Sequence, residues 1–121
     1  MRRPVAILIA AGVMGQPASA GDAAKGALVF QRCAMCHTIE RGAGNGLGPN
    51  LFGVVGRKAA SLPDFPYSPA LKNSKIVWTD AKLKAWVMGP QKLVPGTRMS
   101  FAGLSNPQMA DDLIAFLHTK K

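Results

Sequence analysis

The chain has 121 residues, 48% of them hydrophobic and 17% charged, with a formal charge of +9 at pH 7 and two cysteines. That length suits one domain with a modest core, and two thiols exclude a disulfide-dense scaffold. The charge calls for an anionic partner: nucleic acid, acidic lipid or an acidic protein face. The basic residues are scattered from Lys25 and Arg32 to Lys120 and Lys121, so none of them forms a nucleic-acid tail.

Residues 1–20 read as a secretory leader, 1–20 being a signal peptide and 21–121 the mature domain. Arg2 and Arg3 precede an apolar run from Val5 to Gly15, and Ala18-Ser19-Ala20 supplies small residues for cleavage. The run is shorter than the roughly 20 residues needed to span a bilayer, and nothing after Gly21 offers another span. The expected destination is a bacterial periplasm, which sets nucleic acid aside as a partner.

Asp22 caps a first helix expected to reach Arg32, with Ala23, Ala27 and Phe30 on its apolar face. It delivers the chain to Cys33-Ala34-Met35-Cys36-His37. C-x-x-C-H is the attachment signature of a c-type haem: two thiols form thioethers with the porphyrin, and the following histidine binds iron from below. A redox dithiol, half a zinc site and a short-loop disulfide are the competing readings. Zinc wants about four ligands, whereas the only other histidine is His118. A redox dithiol belongs at a strand-to-helix junction, and no β-rich stretch precedes Cys33.

From Gly42 to Pro66, six glycines and three prolines interrupt any periodic pattern, so the segment reads as an irregular loop. A loop that long in a small domain needs something to wrap, and haem is the obvious candidate. Pro69 opens a short helical turn to Lys72. Thr79 caps a clearer helix with Leu83, Trp86 and Val87 at i, i+3 and i+4, ended by Gly89-Pro90. Gln91 to Ser105 reads as irregular, with a turn at Pro95-Gly96. Asn106 and Pro107 launch a last helix carrying Met109, Leu113, Phe116 and Leu117 on one face. Strand signals are nearly absent. The expected fold is all-α, three to five helices with long irregular loops around one covalently attached haem.

A low-spin carrier needs a second axial ligand, and the candidates are Met35, Met88, Met99, Met109 and His118. Met35 lies inside the attachment loop and cannot reach the opposite porphyrin face. Met88, Met109 and His118 belong to helices, where packing is the default. Met99 follows the Pro95-Gly96 turn in a non-helical segment whose backbone can aim a thioether, and His/Met ligation raises a haem potential.

Leu93 to Gly103 (LVPGTRMSFAG) resembles the methionine-ligand loop of class I c-type cytochromes, the mitochondrial and purple-bacterial soluble family. Other stretches match in order: Gly26 and Phe30, Gly48-Pro49-Asn50-Leu51, Gly56-Arg57-Lys58, Tyr67 with Trp78, and Leu113 to Leu117. The resemblance spans residues 22–118. It implies the class I cytochrome c fold, a single haem c on Cys33 and Cys36, and iron ligands His37 and Met99. It further implies that the Pro49 carbonyl orients His37, that Arg57, Tyr67 and Trp78 hold the propionates, that Thr97 assists beside the ligand loop, and that Gly26 permits a close helix crossing. Two departures alter polarity near iron: Trp86 stands where many members carry a tyrosine near the sulfur, and Leu71 where an asparagine is common.

The implied function is one-electron transfer in the periplasm by a monomer, without catalysis. Its partners would be membrane redox complexes with acidic docking faces: a quinol-oxidising cytochrome complex, a terminal oxidase or a photosynthetic reaction centre. The alternatives are a haem enzyme or sensor with an open or labile sixth site, a subunit of a larger oxidoreductase, a four-helix-bundle cytochrome, and a haem-free structural or metal-chaperone role. The bundle type is disfavoured because its attachment motif lies near the C-terminus.

Overall fold

Helix starts are set by polar caps. Asp22 accepts the Lys25 N–H at 3.0 Å to open α1 (Ala23–Phe30), and Ser68 accepts the Leu71 N–H at 3.1 Å to open α2 (Pro69–Ser74). Thr79 does the same for α3 (Asp80–Met88), and Asn106, followed by Pro107, for α5 (Pro107–His118). The computed structural model describes residues 2–6 and 21–121, so most of the expected leader lies outside the described residues.

The architecture matches the all-α expectation, with five helices among the described residues. Three boundaries differ. α1 stops at Phe30 rather than Arg32, because the chain tightens there into successive turns: Arg32 N–H donates to Val29 and Cys33 N–H to Phe30, at 3.1 and 2.7 Å. α2 continues past Lys72 to Ser74, where Lys75 adopts a left-handed φ of 59° and stops it. The stretch after Gly89 was expected to be irregular but begins with α4 (Pro90–Leu93). Gly89 ends α3 and caps α4, and a buried Pro90 takes the first helical position, where its fixed φ suits a helix start.

The core joins α1, α3 and α5. The buried face of α1 is Gly26, Val29 and Phe30 rather than the expected Ala23, Ala27 and Phe30. The reason is Gly26: a Cβ there would collide with the Asp112 carbonyl of α5, so the two backbones meet where no side chain fits. Phe30 and Phe116 pack across the same crossing with ring centroids 5.3 Å apart. On α5 the buried apolar set is Ala110, Leu113, Ile114 and Leu117, with Met109 and Phe116 half-buried. Among the described residues there is no strand, only one antiparallel bridge between Lys58 and Val77. No helix among the described residues is long and apolar enough to cross a membrane.

Asp112, buried on α5, accepts the Asp22 N–H at 2.8 Å and the Gln108 amide at 3.1 Å. These bonds, chiefly the one from Asp22 and aided by Lys25, hold its carboxyl below the ordinary value of 3.8. A folded-state pKa below the unfolded one means stability that is present above that value and is lost as pH falls through the folded pKa. Asp112→Asn keeps an acceptor for Asp22 but removes this titration. Urea unfolding between neutral pH and about pH 2 should therefore show a shallower acid decline in the variant than in the parent. Equal declines would contradict this role.

Candidate functional site

The tight turns after α1 gather the attachment motif. Cys36 N–H and His37 N–H both donate to the Cys33 carbonyl, at 3.0 and 2.9 Å, so the two thiols and the imidazole leave one compact turn. Both thiols are free, Cys33 half-buried and Cys36 exposed. Burial pushes the Cys33 thiol up to about 11. A dithiol oxidoreductase needs a nucleophile whose thiolate is favoured near neutral pH, which Cys33 does not offer. Among the described residues no group of three His, Cys, Asp or Glu side chains could hold a metal ion, so the zinc reading finds no set of ligands there.

His37 Nδ1 lies 2.7 Å from the Pro49 carbonyl. A carbonyl only accepts, so Nδ1 carries the proton and Nε2 keeps its lone pair. Burial lowers the His37 pKa, as does the Arg57 charge, while the Pro49 bond partly offsets them; the ring is neutral at pH 7. Gly48 lies flat against it. Any Cβ at Gly48 would run into the imidazole, so glycine and the following proline together fix the ring.

The bridge between Lys58 and Val77 brings Arg57 and Trp78 together. Trp78 N–H donates to the Arg57 carbonyl and Gly56 N–H to the Trp78 carbonyl, both at 2.8 Å. The Arg57 guanidinium donates to the Asn50 and Phe52 carbonyls at 3.0 and 3.2 Å, tying this corner to the loop after Pro49. Burial lowers the Arg57 pKa and nearby Tyr67 partly offsets it. Tyr67 is buried, its hydroxyl accepting the Leu62 N–H at 3.3 Å and its ring meeting Phe65 edge-on. Trp78 and Trp86 are both buried, centroids 5.2 Å apart. Trp86 thus packs on Trp78, and Leu71 is buried in the same core.

The Met99 loop starts with a type II turn: Thr97 N–H donates to the Val94 carbonyl at 3.1 Å and Gly96 takes φ 90°, which only glycine adopts without strain. Thr97 is buried, and Met99 is half-buried against the core. The other sixth-ligand candidates are placed differently. Met35 is 84% exposed. His118 Nε2 is held 2.8 Å from Asp80. Met88 ends α3, where Gly103 packs closely on its carbonyl, and Met109 lies on α5.

These residues fit a haem. Two free thiols and a neutral Nε2 come from one turn, and an unbonded thioether lies on a separate loop. Between them in sequence, Leu51, Val55, Leu62 and Phe65 pack on the core yet keep accessible surface, as the apolar walls of a porphyrin cleft would.

Sequence reading missed several contributors. Gly48 had no assigned role, although a glycine before the orienting proline signals close approach. Gln91, Arg98 and the Asn50 side chain, which donates to the Glu40 and Ala43 carbonyls at 3.0 and 2.7 Å, carry no pattern that marks them.

Residues 23–121 match the family model "Cytochrome c". The chain is 52% identical over 98 residues to a cytochrome c of Theileria annulata, covering 80% of this chain and 84% of that protein. It is 48% identical over 102 residues to a cytochrome c2 of Rhodomicrobium vannielii, covering 84% and 82%. The solved structure of cytochrome cH from Methylobacterium extorquens superposes with a TM-score of 0.78 at 48% identity, covering 83% of this chain and all of that one. With the attachment turn, the fold and these relatives in agreement, the chain belongs to the cytochrome c family, as a class I c-type cytochrome.

Proposed function

We propose that this chain is an exported one-electron carrier with a single haem c, joined through Cys33 and Cys36 and ligated by His37 Nε2 and the Met99 thioether. The observation that carries the reading is the His37 tautomer, fixed by Pro49 on the turn that presents both thiols. A haem bound there supplies reversible uptake and release of one electron at iron. His37 is oriented before it binds, so little of the protein has to move. Met99 offers a neutral sulfur, which favours the reduced centre over the oxidised one. Arg57, with three guanidinium N–H groups beyond the two used on carbonyls, would meet the propionates together with Tyr67 and Trp78. Thr97 would support the ligand loop, and Trp86 would border the sulfur side.

With His37 and Met99 both holding the haem iron, no open position for a substrate would remain, and the protein would act as a carrier rather than an enzyme. The leader at 1–20 sends the domain at 21–121 to the periplasm, where it works as a monomer. Cleavage removes Arg2 and Arg3 and lowers the +9 charge by two, leaving a strongly basic protein. Lys58, Lys72, Lys75, Lys82, Lys92 and Arg98 on the surface would steer it to acidic faces of membrane redox complexes.

Voltammetry of the purified protein should give one reversible one-electron wave. Stopped-flow transfer to a membrane oxidase or cytochrome complex should slow at least several-fold between about 0.01 and 0.2 M salt, as the Debye length shortens from about 30 to below 10 Å. A rate indifferent to salt would contradict electrostatic docking.

A further inference from the structure

The Met99 segment has four anchors: the Thr97 N–H bond to the Val94 carbonyl that closes the turn, one further backbone bond, and two side chains. At its end, Leu104 N–H donates to the Val87 carbonyl at 2.8 Å, with Leu104 buried in the core. At its start, Gln91 on α4 makes two bonds with one amide: its Oε1 accepts the Gly96 N–H at 3.3 Å and its Nε2 donates to the Thr97 carbonyl at 2.5 Å. Just before Met99, the Arg98 guanidinium reaches the Pro66 and Tyr67 carbonyls at 3.4 and 3.3 Å, tying this segment to the loop on the Arg57 side. From Arg98 to Gly103 no backbone-to-backbone hydrogen bond holds the chain among the described residues. The position of the Met99 sulfur is therefore set by what holds the turn before it and the bonds after it.

We propose that Gln91 is a positioning residue for Met99: its amide closes the Pro95-Gly96 turn from outside and keeps the thioether aimed inward, with Arg98 as a second clamp. This rests on the reading of Met99 as an iron ligand. Gln91 is a surface residue that touches no ligand group, and its two bonds span the only glycine of the turn, where the backbone is otherwise freest to swing. Two hydrogen bonds of ordinary net strength correspond to roughly a fivefold to hundredfold change in how often the loop opens. Because Gln91 is exposed, its loss leaves the α1–α5 core intact. The donor and acceptor halves are separable: Gln91→Glu keeps an acceptor for Gly96 N–H but turns a carboxylate oxygen toward the Thr97 carbonyl.

The test uses the haem-loaded protein and three variants: Gln91→Ala, Gln91→Glu and Arg98→Ala. Two quantities are read: the rate at which imidazole or cyanide displaces the sulfur ligand in the ferric protein, and amide hydrogen exchange along residues 96–104. In Gln91→Ala, displacement should speed up at least about fivefold and Gly96 exchange should rise, while exchange in α1 and α5 stays at the parent level. Gln91→Glu should be intermediate, and Arg98→Ala should speed displacement on its own by loosening the second clamp. Displacement and Gly96 exchange at parent rates in Gln91→Ala would overturn the proposal, as would a rise spread evenly over the molecule. If the parent and Met99→Ala share one spectrum and one displacement rate, Met99 is not the ligand, and the proposal falls with that reading and for that separate reason.

Discussion

Met99→Ala is expected to turn a closed redox centre into an open one. If Met99 holds iron as proposed, cyanide and carbon monoxide would have to wait for the thioether to leave in the parent; in the variant they should bind at once, in a rapid mixing experiment followed by absorbance. The midpoint potential should fall by an appreciable fraction of the about 0.8 V over which axial ligands set haem proteins, because the neutral sulfur that favoured the reduced state is gone. Stability should change less than the roughly 2–5 kcal/mol typical of a fully buried Met→Ala, since Met99 is only half-buried. The effect is local because the turn that aims the sulfur is built by Pro95, Gly96 and Gln91, all untouched. An unchanged spectrum and unchanged ligand binding would remove Met99 from iron. The nearest rivals are poorly placed for the role: His118 is engaged with Asp80 and Met35 is exposed to solvent.

Gly26→Ala separates two opposed effects and should be the most damaging single methyl addition in the core. Helix propensity alone would make alanine more favourable than glycine by about 1 kcal/mol at this interior helical position. The crossing argues the reverse. The new Cβ would enter the space of the Asp112 carbonyl and approach the Phe116 Cβ. Backbone cannot turn away as a side chain can, so α1 must lift from α5 and loosen the Phe30–Phe116 contact. A net loss of about 2–4 kcal/mol is expected in denaturant unfolding of the haem-loaded protein, with Gly26→Val worse still. That is a large share of the roughly 5–15 kcal/mol that holds a domain together. An alanine variant as stable as the parent would mean the crossing relaxes at no cost.

Much of this molecule was legible in its residues because the informative ones act locally. Asp22, Thr79 and Asn106 each satisfy a backbone N–H a few positions ahead, and the structure begins helices at all three. Cys33, Cys36 and His37 come together because a single turn suffices to gather them. The resemblance supplied Pro49 and Gly26, two residues whose partners lie far along the chain and which no periodicity would have selected. What escaped was geometry that depends on distant packing. α4 is too short to show a pattern, and Gly89-Pro90 signals a stop as readily as a restart. The apolar face of α1 shifted toward Val29 because the absence of a side chain at Gly26, rather than any hydrophobic residue, decides the contact. Gln91 and Arg98 look like ordinary surface residues; only their backbone partners at Gly96, Thr97, Pro66 and Tyr67 distinguish them.

The central claim is that a porphyrin is bonded to Cys33 and Cys36 and held by His37 and Met99. An intact-mass measurement on the exported protein, paired with its visible absorption spectrum, tests it most directly. The account predicts the mass of the chain from Gly21 to Lys121 plus one haem, retained under denaturing conditions, with a low-spin spectrum that includes the sulfur-to-iron band in the oxidised state. A colourless protein with the mass of the bare polypeptide, or a haem that separates from the chain on denaturation, would contradict it.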